Sequence, residues 1–280
     1  MDDITLNTRA GYSTDRTQAA LAVLVEVMHV LGAYRDDLVL VGGWAPPLLV
    51  PGGLQTHCGS LDIDLVVDHR AIQEAERYAT MLALLLRAGY ARDPMQPFVF
   101  RRPPIRPGGI AVEVDLLAGE YGGASPSHRH QRIEDVRVRK ARGADLALLS
   151  WVDVTLSGVL PDGTDDTVRL RVASPAALLV MKAEALEHRP KPKDAYDIAY
   201  CLRESPGGVE GVSESFRPIL SHGLVREALG ILRERYATVQ STGPRLAARF
   251  EDPASAEESA VLARDAFERM AAPLRLLGAT

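Results

Sequence analysis

Asp62 and Asp64 are the two residues of this chain whose type and spacing are best suited to chemistry. They occupy alternate positions in an apolar run at residues 61–67, which predicts a buried β-strand. Side chains at positions i and i+2 of a strand point to the same face of the sheet. Two carboxylates on an apolar face repel each other and are costly to bury unless a cation lies between them. Oxygen ligands suit Mg²⁺, so the segment predicts a magnesium site; a solvent-exposed strand edge is the alternative.

Asp115 is a third carboxylate that we expect on the same sheet. Residues 110–117 alternate with a period of two, which predicts a strand that ends near Asp115. Three carboxylates on one sheet surface can hold two divalent ions roughly 3.5–4 Å apart. Such a pair of ions binds a triphosphate, lowers the pKa of an attacking hydroxyl and stabilises the leaving pyrophosphate. The three acids therefore favour nucleotide chemistry.

A glycine pair, Gly42 and Gly43, lies between a predicted strand at residues 38–41 and a short predicted helix. The absence of side chains lets phosphate oxygens approach, and backbone amides at the start of a helix favour phosphate. Ser60 adds a hydroxyl next to the acidic strand. Taken alone, the pair is more typical of a plain tight turn. Together with the acidic strand that follows, it predicts a triphosphate-binding turn.

The motifs at residues 40–45 (LVGGWA), 60–65 (SLDIDL) and 112–116 (VEVDL) resemble those of the DNA polymerase β-type nucleotidyltransferase superfamily. The resemblance implies an α+β fold, with a mixed sheet, packed helices and an α-helical C-terminal region. It implies NTP as substrate and two Mg²⁺ ions held by Asp62, Asp64 and Asp115, with Asp115 also the base for the acceptor hydroxyl. The gap from Gly43 to Asp62 is longer than is usual in that superfamily and is rich in proline and glycine.

The second half of the chain is similar to the AbiEii/MenT-like branch of that superfamily. The matching segments are residues 178–182 (LLVMK) and 189–198 (RPKPKDAYDI). In that branch such residues sit opposite the acidic strand. The resemblance implies that Lys182 binds triphosphate and that Asp197 completes the site, with Lys193 and Asp194 beside it. Two alternatives stay open: a Lys182 side chain that extends to solvent from the helix flank, and an Asp194 that caps a helix after Pro192.

The predicted elements divide the chain into two parts. Residues 1–172 contain the motif-bearing strands, one predicted helix at residues 70–88 and a hairpin around residues 161–163, and we expect them to form the catalytic domain. Ser174 and Pro175 are typical of a helix start. Residues 173–280 read as helical, and we expect a helical domain that contributes to the active-site cleft.

The composition limits the possible partners of this 280-residue chain. Its formal net charge is −5, so any binding of tRNA must rely on a local basic patch. One candidate patch lies at residues 128–142, and Arg101, Arg102 and Arg106 could join it; a solvated face is the favoured alternative. No apolar run reaches the ~20 residues of a membrane span, and the acidic start at residues 1–3 lacks the basic-then-apolar pattern of a signal peptide, so we expect a cytoplasmic protein without membrane contact. His57 and Cys58 are interpreted as a loop pair.

Two classes of function are compatible with these features. The first is an Mg²⁺-dependent nucleotidyltransferase. Its favoured acceptor is a tRNA 3′ end, in a toxin paired with a cognate antitoxin, and an aminoglycoside, another small molecule or a protein hydroxyl is the alternative. The second is a non-catalytic partner-binding member of a toxin–antitoxin system. Three acids kept on one face argue against the second class, because a degenerate site has little physical reason to retain like charges side by side.

Overall fold

The structure is a computed structural model, and it describes residues 6–74, 79–105, 107–120, 130–133 and 135–279. It combines a mixed β-sheet with packed helices, which confirms the predicted α+β class. The chain divides into two compact units. The sheet unit comprises Thr14–Ala45 and Gly59–Ala173, and the helical unit comprises Met1–Ser13, Pro46–Cys58 and Ser174–Thr280.

This division differs in detail from the predicted one at residues 172/173. The long helical segment begins at Ser174, but the helical unit also includes residues 1–13 and 46–58. Residues 46–58 are most of the long gap between the glycine pair and the acidic strand. Within this segment a Cβ atom on Gly53 would lie 2.3 Å from the backbone oxygen of Pro47, so only glycine allows such a tight turn.

The sheet unit is built on strands that run in the spatial order β3-β4-β5-β2-β1-β9-β8, with β7 paired to both β5 and β6. The strands are β1 (Leu38–Val41), β2 (Asp62–Val67), β3 (Ala91–Arg92), β4 (Val99–Arg102), β5 (Val112–Ala118), β6 (His130–Ile133), β7 (Val136–Lys140), β8 (Trp151–Val159) and β9 (Asp165–Ala173). β2 pairs with β5, β1 with β9 and β5 with β7 in parallel, whereas β1 and β2 are antiparallel.

The centre of this sheet is formed by continuous apolar runs, as expected for strands covered on both faces. All four residues of β1 are buried, and so are Leu65, Val66 and Val67 at the end of β2. β8 and β9 form the predicted hairpin around residues 161–163. The apolar pattern therefore fixes the register of β2, which determines where its two aspartates point.

The predicted single helix at residues 70–88 is wrong. The structure has two helices instead, α4 (His69–Glu74) and α5 (Met81–Arg87), with residues 75–78 outside the described part of the chain. Thr80 caps the second helix, because its side chain accepts a hydrogen bond from the Ala83 amide. The sheet unit also contains α1 (Thr14–Val30) and α6 (Ala144–Ala147).

The helical unit begins with α2 (Ala45–Leu49), which starts at the unit boundary, and α3 (Gly53–Thr56). It continues with α7 (Pro175–His188), α8 (Pro192–Glu204), α9 (Gly208–Ser215), α10 (Gly223–Arg235), α11 (Thr242–Phe250) and α12 (Ala256–Leu276). Ser174 caps α7 as predicted, since its hydroxyl accepts a hydrogen bond from the Ala177 amide. None of the helices in the described residues is both long and apolar enough to span a membrane.

Candidate active site

The three predicted aspartates share one face of two neighbouring strands. Asp64 on β2 lies directly opposite Asp115 on β5 in the parallel register, and Asp62 is two residues before Asp64. Neighbouring strands are about 4.8 Å apart, and residues two apart point the same way. Ile63 and Leu65, which alternate with the acids, are fully buried. The sheet therefore presents three carboxylates on one surface above an apolar layer.

Asp115 is the most constrained of the three acids. Arg139 of β7 donates a hydrogen bond to Asp115 Oδ2 over 3.0 Å. Asp115 Oδ1 is buried and has no hydrogen-bond partner among the described residues. Burial raises the pKa of Asp115; Arg139 opposes this shift and the charge of Asp62 adds to it. The carboxylate thus has one oxygen held by Arg139 and one buried oxygen without a partner among the described residues.

Arg139 belongs to a segment that the sequence analysis interpreted as part of a solvated basic stretch. The structure corrects that interpretation for residues 136–140, because Val136 and Val138 are buried in β7 and alternate with Arg137 and Arg139. This period-two pattern was the available signal for a strand. Arg139 is therefore a site residue that the sequence analysis missed.

Five other members of the predicted basic patch are engaged in ion pairs or lie outside the described residues. Arg101 contacts Asp93 and Glu113 at 2.9 Å each, and Arg102 contacts Glu26 at 2.6 Å. Their charges are therefore compensated within the sheet unit. Arg106, His128 and Arg129 lie outside the described residues.

Ser60 and Gly42 adjoin the acids. The Ser60 hydroxyl donates a hydrogen bond of 2.7 Å to Asp62 Oδ1, and Ser60 itself is buried. Gly42 has a φ of +69°, and a Cβ atom at this position would lie 2.0 Å from Asp64 Oδ2. Glycine is therefore required twice here, for the backbone conformation and for the approach of Asp64. Gly43 is buried in the short 3₁₀ turn Gly42–Trp44 that follows β1.

The acidic face fits a hard divalent cation by its donor chemistry. It offers carboxylate oxygens from Asp62, Asp64 and Asp115, and the unpartnered Asp115 Oδ1 is the sort of buried acceptor that a cation would satisfy. In the described residues, however, no three His, Cys, Asp or Glu side chains already converge as a formed metal site. Ser60 and Arg139 now occupy one oxygen each of Asp62 and Asp115.

Within the helical unit, the four other predicted site residues form a buried ionic network. Lys182 of α7 lies 2.6 Å from Asp194 Oδ1 and 2.7 Å from Asp197 Oδ2, both on α8. Lys193 lies 2.5 Å from Asp197 Oδ1. Lys182 is 7% exposed and Asp197 is completely buried. The structure thus brings together Lys182, Lys193, Asp194 and Asp197, although the sequence alone placed only the last three near each other.

This network decides between the alternatives that the sequence left open. Lys182 does not extend to solvent, because its ammonium group is buried between two carboxylates. Asp194 is not the cap of α8; Lys191 holds that position, and Asp194 binds Lys182 from the first turn. The charge of Lys182 can be buried within an apolar stripe because it has two carboxylate partners.

Opposing effects set the charges of the network. Burial alone would lower the pKa of Lys182, but Asp194 and Asp197 outweigh burial and raise it above its ordinary value. Burial alone would raise the pKa of Asp197, but Lys182 and Lys193 outweigh burial and lower it. Lys182 and Asp197 are therefore both charged at pH 7. The Lys193 ammonium also lies 5.5 Å from the ring centres of Tyr12 and Tyr196.

His57 joins this network, which the sequence analysis did not foresee when it interpreted His57 and Cys58 as a loop pair. His57 Nε2 lies 2.9 Å from Asp197 Oδ1, and the ring stacks on Tyr196 with ring centres 5.0 Å apart. Burial and the charge of Lys193 lower the pKa of His57 to about 4. The imidazole is therefore neutral at pH 7, and its Nε2–H donates a hydrogen bond to the Asp197 carboxylate.

A comparison with protein-family models matches residues 27–277 to the family described as nucleotidyl transferase AbiEii toxin, type IV TA system. The chain belongs to this family, which implies a nucleotidyltransferase toxin of a type IV toxin–antitoxin system. Neither the curated proteins nor the solved structures contain a match to the chain. The resemblance drawn from residues 178–198 of the sequence is thus confirmed at the level of the family.

Proposed function

We propose that this chain is an Mg²⁺-dependent nucleotidyltransferase that transfers NMP from an NTP to the 3′-terminal hydroxyl of a tRNA. The observation that carries the proposal is the pairing of Asp64 with Asp115 across β2 and β5, with Asp62 on the same face. Like charges in this arrangement cost stability, so they indicate a site that a cation completes. The family membership supports the transfer of a nucleotidyl group.

Asp62, Asp64 and Asp115 are the residues that would hold Mg²⁺. When bound, the cation supplies positive charge to the triphosphate and to the leaving pyrophosphate. Asp115 would also act as the base. Its Oδ1 accepts the proton of the acceptor hydroxyl, while the hydroxyl oxygen forms a bond to the α-phosphorus and the bond to pyrophosphate breaks. One observation supports that role: Oδ1 has no hydrogen-bond partner among the described residues.

Arg139 and Ser60 are proposed as positioning residues. Arg139 donates a hydrogen bond to Asp115 Oδ2, so Oδ1 is the oxygen that would receive the proton of the acceptor hydroxyl. Ser60 donates a hydrogen bond to Asp62 Oδ1. The amides of Gly42 and Gly43 and the Ser60 hydroxyl are the proposed triphosphate contacts of the sheet unit. Gly42 also leaves the space that Asp64 occupies.

Lys182, Lys193 and Asp197 enter the proposal through the family resemblance, which assigns Lys182 to the triphosphate and places Lys193 beside it. The ion pairs with Asp194 and Asp197 keep the buried ammonium group of Lys182 charged at pH 7. They also compensate its charge, so its contact with the triphosphate rests on the resemblance alone. Asp197 would fix the two lysines from within the helical unit.

A cognate antitoxin is the proposed protein partner. The family is that of toxins in type IV toxin–antitoxin systems, and transfer of nucleotides to tRNA is an activity whose control a cell requires. Co-expression with the product of a neighbouring gene should restore growth to cells that the chain inhibits, if that gene encodes the antitoxin. Restored growth with no loss of tRNA labelling in the same cells would contradict direct inhibition.

The transferase proposal is tested with each of the four α-labelled NTPs, Mg²⁺ and total tRNA. We expect labelled tRNA with the wild type and none with Asp64→Asn. Asp153→Asn is the matched control, because Asp153 is an exposed aspartate on another strand, β8, and it should label tRNA normally. If the wild type labels no tRNA with any NTP, the tRNA acceptor is wrong. If it also labels no aminoglycoside, and Asp62→Asn binds Mg²⁺–NTP as well as the wild type in calorimetry, the transferase proposal is wrong.

A further inference from the structure

A cleft of about 540 Å³ lies between α11 and α12 of the helical unit, and no residue of the candidate active site lines it. Its size is within the usual range of ligand-binding clefts. The polar side chains that line it are Gln240, Thr242, Arg245, Arg249 and Ser259. Small alanine side chains of α12, including Ala260, leave the arginines accessible across the cleft.

Arg245 and Arg249 dominate the charge of this cleft. They are four residues apart on α11, so their side chains leave the same face of the helix about 6 Å apart. Both are exposed. Within the described part of the chain, neither guanidinium has an ion pair or a side-chain hydrogen bond. Other arginines of this unit, such as Arg203 and Arg235, have carboxylate partners.

The remaining lining favours an anion and gives no means to read bases. Among the described residues that line the cleft, there is no Asp or Glu to repel an anion and no aromatic ring on which a base could stack. The side chains of Gln240, Thr242 and Ser259 supply neutral hydrogen-bond donors. Guanidinium groups bind phosphate with two parallel hydrogen bonds, and hydroxyl and amide donors commonly complete such contacts.

We propose that the cleft between α11 and α12 binds the phosphodiester backbone of RNA, with Arg245 and Arg249 on two phosphates, independently of base sequence. The choice of RNA over other phosphate-bearing chains rests on the proposed function. A net charge of −5 gives the chain no general attraction for nucleic acid, so a local cationic cleft has to supply it.

The proposal is tested by fluorescence anisotropy with a labelled single-stranded RNA of about 16 nucleotides, in EDTA and without NTP. The test variant is Arg245→Ala/Arg249→Ala. The matched control is Arg226→Ala/Arg233→Ala, which removes two exposed arginines from α10, outside the cleft. Ala260→Glu is a second test variant, because it keeps both arginines and adds a carboxylate to the cleft at an exposed helical position.

We expect the cleft variant to bind about 10-fold more weakly at low salt, with the control within about twofold of wild type. Loss of two phosphate contacts on a single strand should reduce the slope of log K against log salt by about 1.4. Ala260→Glu should weaken binding in the same direction. Asp64→Asn should bind RNA normally, so a failure of catalysis is distinguishable from a failure of this site.

Three outcomes would overturn the proposal. The first is an unchanged affinity in Arg245→Ala/Arg249→Ala. The second is an equal loss in the cleft and control variants, which indicates a diffuse charge effect. The third is displacement of the RNA by ATP at equal phosphate concentration, which indicates a nucleotide site instead of a backbone site.

Discussion

Gly42 and Asp64 are in such close contact that a single methyl group on Gly42 would collide with the Asp64 carboxylate. The added Cβ atom would lie 2.0 Å from Asp64 Oδ2, well inside any van der Waals contact. Gly42 directly follows β1, and Asp64 lies opposite Val41, the last residue of β1, in the antiparallel pair β1–β2. The glycine turn and the acidic strand are therefore one structural feature, and the position of the carboxylate depends on the missing side chain.

This contact predicts a specific defect for Gly42→Ala. The positive φ alone should cost about 1 kcal/mol of stability, and the collision should displace the Asp64 side chain. We expect tRNA labelling to fall at least about 100-fold, since misplacement of a catalytic group by 1 Å can cost that much. The measurements are the initial rate of labelling and the free energy of unfolding in urea.

Gly163→Ala is the matched control for that experiment. Gly163 also has a positive φ, of +94°, but no atom lies within 4 Å of the position that a Cβ atom would take there. Gly163→Ala should therefore lower the free energy of unfolding by a similar amount, through backbone strain, and keep its activity. If both variants lose activity equally, the effect belongs to the backbone strain and the collision with Asp64 plays no part.

The buried ion pairs of Asp197 predict that Asp197→Ala lowers the free energy of unfolding strongly. Asp197→Ala leaves the buried Lys182 and Lys193 with only Asp194 as counter-charge. Removal of one partner from a buried ion pair typically costs about 3–5 kcal/mol, and we expect a loss of that order in urea denaturation. Glu187→Gln is the control, because the Glu187–Arg235 pair is partly exposed and should be worth less than about 1 kcal/mol. Equal losses would contradict the assignment of a stabilising network around Asp197.

The acidic face was accessible to sequence reasoning because it depends on local patterns. Alternation places Asp62 and Asp64 on one face, and the period of residues 110–117 places Asp115 on a strand. The predicted position at the end of that strand is wrong, because Asp115 lies in the middle of β5 (Val112–Ala118). Burial of the apolar residues fixes which face of each strand points to the core, whereas the parallel pairing that sets Asp64 opposite Asp115 joins residues far apart in the chain and is seen only in the structure. Element types, such as the β8–β9 hairpin, were predictable because they depend on local patterns.

The helical network was only partly accessible, because its main contacts join residues far apart in the chain. His57 and Asp197 are separated by 140 positions, and no local pattern indicates that they meet. The break near Thr80 was missed because a capping threonine inside an apolar helical pattern is a weak signal. Arg139 was missed for another reason. The high charge of the segment at residues 136–140 hid the alternation of its basic residues with Val136 and Val138.

His57 predicts a pH dependence of stability. Its pKa is about 4 in the folded protein, against an ordinary value of 6.5, because of burial and the charge of Lys193. Lys182 also lowers this pKa, and Asp197 partly offsets the effect. Between these two pH values the unfolded chain binds a proton that the folded protein excludes. The contribution of neutral His57 to the free energy of unfolding should therefore be fully present above pH 6.5. It should be lost as the pH decreases toward 4, by about 3 kcal/mol in total.

The free energy of unfolding in urea at pH 7, 6, 5 and 4 tests this dependence. His57→Gln keeps a hydrogen-bond donor for Asp197 but cannot titrate, so its stability should change less over this interval than that of the wild type. The difference between the two proteins isolates His57 from carboxylates that titrate in the same range. Parallel curves for the wild type and His57→Gln would show that His57 does not govern the acid response.

The environment of Asp115 predicts that Asp115→Asn lowers activity and raises stability. Burial raises its pKa and the charge of Asp62 adds to the shift, so the ionised form is less stable in the folded protein than in the unfolded chain. Asp115→Asn removes that charge while its side chain can still accept a hydrogen bond from Arg139. In EDTA at pH 7 we therefore expect Asp115→Asn to unfold at a higher urea concentration than the wild type, and to lose at least about 100-fold in tRNA labelling with Mg²⁺.

The advantage of Asp115→Asn should disappear in acid. The penalty on the ionised carboxylate is present above its folded pKa and absent once both folded and unfolded forms are protonated, so the two proteins should converge below pH 3.8. Glu113→Gln is the control on the same strand, because Glu113 is half-exposed and its replacement should change stability by less than about 0.5 kcal/mol. Mg²⁺ should also stabilise the wild type but not Asp115→Asn. A less stable Asp115→Asn in EDTA would mean that the ion pair with Arg139 outweighs burial and repulsion, and that the acidic face is not destabilised without its cation.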